Sequence, residues 1–451
     1  MNKKTIFFLI LLCYLVPNFS WNASAAEAVL PENRPQEEVW LTIFVHGIMS
    51  VKHHISLSNI INFIKDEVED TDYASTVMLM RQDPFFHQNQ AMQEIGLKKI
   101  DPTNLSTGNA SSALANVMNE IIQVNSTLPI ENHFYTFGWP GLLSPSGRYA
   151  EAKKLFCCIA SELKKFKKLH ISPKIRLIGY SHGGNLCLNL AAVKQRENIM
   201  EHFTLDQLVL LGVPIQHDND YLINDSIFKK VYHFYSLADR VQQLDLFSWG
   251  KFFSNRTFKE RKNFKLPQKL TQVCLQMKRN IRTQNNLLYA EKFPLMNESS
   301  YLRNVDPGHT ELWLFGWTPA FYRDYSPLYP LPIVALTPAI IQTIEDARTT
   351  LSIPDNMVTI DLRPQQETVI LKNSYRKNVK SQLLPTGMLA DLKKTALRVK
   401  PEQYTKSMYA EHIQMAREKK VDNPSKKENS LKSVTAKAPK DLRISSVAHA
   451  A

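Results

Sequence analysis

Glycine is scarce in this chain, at 14 of 451 residues, so any place where glycines gather points to a backbone requirement. Cysteine is scarcer, at five, and Cys13 lies in the first apolar run. The others, Cys157, Cys158, Cys187 and Cys274, exclude a disulfide-dense scaffold, and no Cys/His grouping has the spacing of a structural zinc site. Cys157 and Cys158 are adjacent in a helical pattern and are expected to pack rather than bridge. Internal repeats are absent. Beyond the first 25 residues no apolar stretch approaches the roughly 20 residues that a membrane span requires. Acidic residues are in deficit, at 42 against 55 basic, for a formal net charge of +13. With 44% hydrophobic and 22% charged residues, the composition is that of a folded globular protein.

The N-terminus has the layout of a secretory signal. Lys3 and Lys4 precede the apolar run Ile6 to Val16, Pro17 ends it, and Ala23-Ser24-Ala25 offers a small-residue cleavage site. Bulky Leu11 and Leu12 argue against lipid attachment at Cys13. The basic charge is concentrated in two places. Lys251 to Arg282 carries 10 Lys+Arg against 1 Asp+Glu, and Lys372 to the end carries 18 against 7.

Patterning along the chain predicts alternating strands and helices. Val39–Val45, Thr76–Met80, His133–Phe137, Lys174–Ile178, Gln207–Leu211 and Val231–Tyr235 read as strands. Helical spacing occupies Ser56–Val68, Ser111–Val124, Gly147 to about Lys167 and Gly183–Arg196. Residues 84–110 read as a loop-rich excursion, and residues 245–300 as a basic, aromatic segment without clean period. Thr337-Pro338 opens a further helix to about Thr350, followed by a small hairpin over 357–371. The order predicts an α/β fold: a mostly parallel sheet covered by helices on both faces.

The glycines gather at Gly179-Tyr180-Ser181-His182-Gly183-Gly184, between the apolar strand Ile175–Ile178 and the helical stretch Leu186–Val193. This is a G-x-S-x-G pattern in a strand–turn–helix context. Such a sharp turn holds a serine in strained geometry with its hydroxyl projecting from the sheet edge, and small flanks let strand and helix approach. Ser181 is the candidate nucleophile. The residue after it, His182, supplies one backbone N–H for an oxyanion. A second donor is expected from the loop after the first strand, Val45-His46-Gly47-Ile48-Met49, with the N–H of Ile48 as candidate and the His46 side chain as structural.

A serine needs a base, and the base a carboxylate that orients it. Asp239 follows the strand Tyr232–Tyr235 and lies 58 residues after Ser181; Asp245 and Asp218 are its competitors. His309, 70 residues further on in Asp306-Pro307-Gly308-His309, is the sole histidine between His233 and His412.

These residues resemble the α/β-hydrolase superfamily, and within it lipase- and esterase-like members with a His-Gly oxyanion loop. The matching pieces are His46-Gly47-Ile48, Gly179 to Gly183, Asp239 and His309. The stretch Phe137-Gly138-Trp139-Pro140, with Tyr149 in the helix after it, is similar to bacterial hydrolase families of unknown function that carry a Trp-Pro pair before the elbow. The resemblance covers about residues 39–325 and implies acyl-ester chemistry without cofactor or metal. The expected organisation is a signal peptide over 1–25, a hydrolase domain over 26–330 with an insertion at about 245–300, a helix-plus-hairpin extension over 331–371 and a basic, largely disordered tail over 372–451. The expected protein is secreted or periplasmic. Its substrate is an acyl ester or lipid, and no nucleic-acid partner is expected. The insertion, with Phe252, Phe253, Phe258, Phe264 and Leu266 interleaved among lysines, is expected to border the site and meet an anionic membrane surface.

Overall fold

Strands that are apolar on both faces need cover on both sides, and helices supply it here. The computed structural model describes residues 38–49, 66, 68, 71–126, 129–197, 203–239, 241–243, 254–280, 302–304, 306–318, 328–351, 356–373 and 377–421. The signal-like N-terminus, nearly all of the helix expected over Ser56–Val68, Asp245, Phe252 and Phe253, and the last thirty residues lie outside them.

The strands are β1 (Glu38–Val45), β2 (Gly96–Ile100), β3 (Ile130–Gly138), β4 (Lys174–Tyr180), β5 (Gln207–Leu211), β6 (Val231–Ser236), β7 (Leu270–Asn280), β8 (Leu302–Asn304), β9 (Met357–Arg363), β10 (Thr368–Lys372) and β11 (Asn378–Leu383). Their order is β11-β10-β9-β7-β6-β5-β4-β1-β3-β2, with β8 paired to the end of β7. Every neighbouring pair from β9 across to β3 is parallel, and antiparallel pairing is confined to the two edges and to β8. The described helices are α1 (Asp72–Gln82), α2 (Ala110–Asn125), α3 (Pro145–Lys168), α4 (His182–Arg196), α5 (Thr337–Leu351), α6 (Met388–Arg398) and α7 (Lys406–Val421). Alternate strand residues feed two separate cores. Leu41, Ile43, Leu177 and Leu210 pack with α3 and α4, whereas Phe44, Ile178, Val209 and Leu211 pack with α2, α5 and α6.

Several elements differ from the sequence expectation. Thr76–Met80 is helical, inside α1. Thr71 caps that helix by accepting from the Ala74 N–H, and Tyr73, Val77 and Met80 bury one face at helical spacing. The excursion 84–110 contains β2, an edge strand whose lysines Lys98 and Lys99 conceal it from an apolar search. The segment 245–300 is not a simple insertion, because β7 is a fully paired strand between β6 and β9. The charged residues of β7, Lys278 and Arg279, lie at its C-terminal end, and Leu270, Val273, Leu275 and Met277 before them are buried. Phe258 and Phe264 are likewise buried, with α3 and α4, and so cannot face a membrane.

The presumed extension is also integral: β9 and β10 continue the main sheet, β11 closes it, and α5 packs beneath them. Nor are residues 377–421 a disordered tail. In α6, Leu389, Leu392 and Ala396 recur at helical spacing and pack toward α2. In α7, which packs on α1, the His412 ring lies flat on Phe85, centroids 4.0 Å apart, and its Nδ1 is 2.6 Å from Asp83 Oδ2. Lysine content set by the exposed faces masked these apolar stripes. Leu392→Ala should therefore cost about 2–5 kcal/mol, the usual range for a fully buried leucine. Urea denaturation measures this, and an unchanged midpoint would mean that α6 is not docked.

Candidate active site

The parallel strands end on one edge of the sheet, and the three predicted chemical residues meet there. Ser181 sits between β4 and α4 with φ +50 and ψ −133. That conformation is costly for a residue with a Cβ and persists only where its surroundings over-determine it. The neighbours do so. The Ser181 N–H donates to the Leu211 carbonyl at 2.9 Å, and its own carbonyl accepts from the Gly184 N–H at 2.9 Å. Gly183 lets α4 start directly against β1, since a Cβ there would overlap the His46 carbonyl.

His309 Nε2 lies 3.1 Å from Ser181 Oγ, and His309 Nδ1 lies 2.8 Å from Asp239 Oδ2. A carboxylate facing Nδ1 keeps the proton there and leaves Nε2 free to accept from the serine hydroxyl. Asp239 is fully buried, and its other oxygen, Oδ1, accepts from the N–H groups of Val241 and Gln242 at 3.0 and 3.2 Å. A carboxylate so fixed has little freedom to turn from the imidazole. Of its competitors, Asp218 is exposed and outside this line, and Asp245 lies outside the described residues.

Both predicted oxyanion donors lie in segments that adjoin Ser181. His182 is the first residue of α4, so its N–H has no acceptor within the helix. Ile48 follows Gly47, which packs directly on Ser181 and Tyr180. The His182 imidazole is buried, and burial, reinforced by Arg148 and His309, holds its pKa well below the usual range, so it is neutral. His46 behaves alike, through burial first and the Arg81 charge second. Among the described residues, no group of three or more His, Cys, Asp or Glu side chains could hold a metal ion, and no helix is long and apolar enough to cross a membrane.

Sequence reasoning did not single out three contributors. Tyr180, inside the elbow, donates its hydroxyl to the His309 carbonyl at 3.1 Å and stacks on Trp313, centroids 5.3 Å apart. Burial, then Asp239, pushes its pKa well up, so it remains a donor. Arg256, from the basic segment, donates from Nε to the Asp239 carbonyl at 3.0 Å, so that segment does border the site. Gly212, at the end of β5, has φ +59. A Cβ at Gly212 would stand 3.1 Å from both Asp239 Oδ2 and His309 Nδ1 and 2.8 Å from Leu312 Cδ1. A glycine at a strand end in so glycine-poor a chain was the available signal.

A scan against protein-family models finds no match for this chain, and searches of curated proteins and of solved structures find none either. The geometry therefore stands alone. Gly212→Ala should lose about 1–2 kcal/mol from the left-handed backbone alone. It should also disturb the Asp239–His309 bond, seen as a shift or loss of the downfield imidazole proton in NMR spectra. An unaltered imidazole signal would show that Gly212 does not constrain that pair.

Proposed function

We propose that the chain is a serine hydrolase of the α/β-hydrolase fold that cleaves carboxylic esters, those of lipids foremost, through an acyl-enzyme. The observation that carries this reading is the unbroken line Ser181–His309–Asp239, with the serine held at positive φ on the strand edge. Isolated Ser, His and Asp contacts are common, but a strained serine between a parallel strand and a helix is what nucleophilic catalysis on an α/β sheet requires. The strand order supports the fold assignment. The nucleophile follows β4 in mid-sheet, the acid follows β6 two strands away, and the base lies in a later loop at the same edge.

In this reading Ser181 Oγ attacks the acyl carbon while its proton passes to His309 Nε2. The negative charge that develops on the carbonyl oxygen is met by the N–H groups of His182 and Ile48. Collapse breaks the bond to the alcohol oxygen, which takes the proton from His309. Water then attacks the acyl-enzyme, again deprotonated by His309, and the carboxylic acid leaves with Ser181 restored. The Asp239 carboxylate stabilises the imidazolium. The signal-like N-terminus supports action outside the cytoplasm. With Phe258 and Phe264 buried, contact with an anionic membrane rests on the exposed Lys259, Lys262 and Lys265.

A non-catalytic protein on this scaffold would have no use for a complete triad. A fluorophosphonate probe should label the purified protein, and Ser181→Ala should abolish labelling. His309→Ala should abolish ester turnover, and Asp239→Asn should reduce it by about 10⁴, the loss seen when a triad aspartate is neutralised in a serine protease. Absence of labelling together with no turnover across esters of varied chain length would sink the enzyme reading. Full activity in Asp239→Asn would reassign the acid.

A further inference from the structure

The loop after β1 is gripped by groups that no step of the ester mechanism uses. The buried His46 ring stacks on Trp139, centroids 5.7 Å apart at 24°. The Trp139 backbone N–H donates to His46 Nε2 at 3.3 Å, and the indole N–H donates to the His46 carbonyl at 2.8 Å. An Nε2 that accepts carries no proton, so the neutral ring bears its proton on Nδ1. Nδ1 lies 2.7 Å from the Gly47 carbonyl oxygen and donates to it.

This bond has a consequence for the next peptide unit. The Gly47–Ile48 bond is trans, and in a trans peptide the C=O and N–H point opposite ways. A Gly47 carbonyl turned toward the His46 ring therefore turns the Ile48 N–H away from it. On the far side, the Met49 N–H donates to the Gly141 carbonyl at 3.0 Å, so the loop is pinned on both flanks of Ile48.

Trp139 is itself tethered. Arg81, buried in α1, donates from Nε to the Trp139 carbonyl at 3.1 Å and from Nη2 to the Gln93 carbonyl, and its Nη1 lies 3.0 Å from His87 Nε2. Gly138 leaves room for this guanidinium, which a Cβ there would strike. Burial lowers the Arg81 pKa to about 10, still charged at neutral pH.

We propose that Arg81, Trp139 and His46 form a positioning chain that fixes the Ile48 N–H as an oxyanion donor, with the His46 Nδ1–H bond to the Gly47 carbonyl as its last link. This rests on the ester-hydrolase reading and assigns to three side chains outside the triad a role in its transition state. His46 acts through the peptide it orients and touches no reacting atom. The charged or titratable groups around it are Arg81 and His87, and burial together with the Arg81 charge keeps both imidazoles below the usual histidine range.

Two substitutions at one position separate orientation from bulk. His46→Asn places an amide N–H close to where Nδ1 stands and keeps a donor for Gly47. His46→Gln places its amide near Nε2 and leaves the Gly47 carbonyl without one. His46→Gln should lower kcat by about 10²–10³, the size expected for loss of one oxyanion donor, with little change in KM. His46→Asn should recover most of that loss. Arg81→Lys, which keeps charge but not the Nε donor, should lower kcat in the same sense without moving the pH profile of turnover. In wild-type protein labelled with ¹⁵N-histidine, the His46 ring should show a bare Nε2 and a protonated Nδ1. That measurement needs no variant to fold. Equal kcat in the Asn and Gln variants, or a protonated Nε2 in the wild type, would overturn the positioning role while leaving the hydrolase reading in place. Wild-type protein that neither takes up a fluorophosphonate nor hydrolyses esters would overturn both.

Discussion

The backbone of Ser181 is the constraint on which the rest of the site depends. A residue with a Cβ at φ +50 is held against its own preference, so β4, β5 and α4 must be placed before the serine can be. The Leu211 carbonyl at the end of β5 accepts from its N–H, and the Gly184 N–H in the first turn of α4 donates to its carbonyl. The same junction brings Gly47 against the serine and seats Tyr180 beneath the His309 loop. Sheet packing and site geometry are thus one set of contacts seen from two sides.

Around that junction the polar groups are arranged in short chains, each ending on a backbone atom. Asp239 is tied to the N–H groups of Val241 and Gln242, and its carbonyl is held by Arg256. The His309 carbonyl is held by Tyr180. Fixing the backbone rather than the side-chain tips reduces reorganisation, which in the proposed ester cleavage is the condition under which buried dipoles stabilise a transition state most.

How much of this was legible in the sequence follows from the range of each constraint. Ser181 was readable because its requirements are local: a strand before, a helix after, and glycines between, in a chain with few. Asp239 and His309 followed from chain order. Gly212, Tyr180 and Arg256 were not found, because their roles depend on contacts with distant segments. The strand β7 and the helices α6 and α7 were missed for another reason. The exposed residues of α6 and α7 and the basic residues around β7 weigh in average composition as heavily as Leu275, Leu389 and Leu392, which face the core. Thr76–Met80 looked like a strand because its residues are apolar and β-branched, yet the Thr71 cap and the stripe through Tyr73 and Val77 outweighed that preference.

The docking of the C-terminal segment on the first third of the chain has a kinetic meaning. His412 meets Asp83 across 329 residues, and Asn89 donates to the Tyr404 hydroxyl across 315. Gly108 likewise donates its N–H to the Val399 carbonyl. Contacts so remote in sequence demand loop closure before they return any stabilisation, which slows folding. The segment that carries Arg81 gains these partners only after the last helices have been made. Completion of the fold around the loop after β1 thereby depends on residues near 399–412, and a nascent polypeptide without them holds Ser181, His309 and Asp239 without the full framework that aligns them.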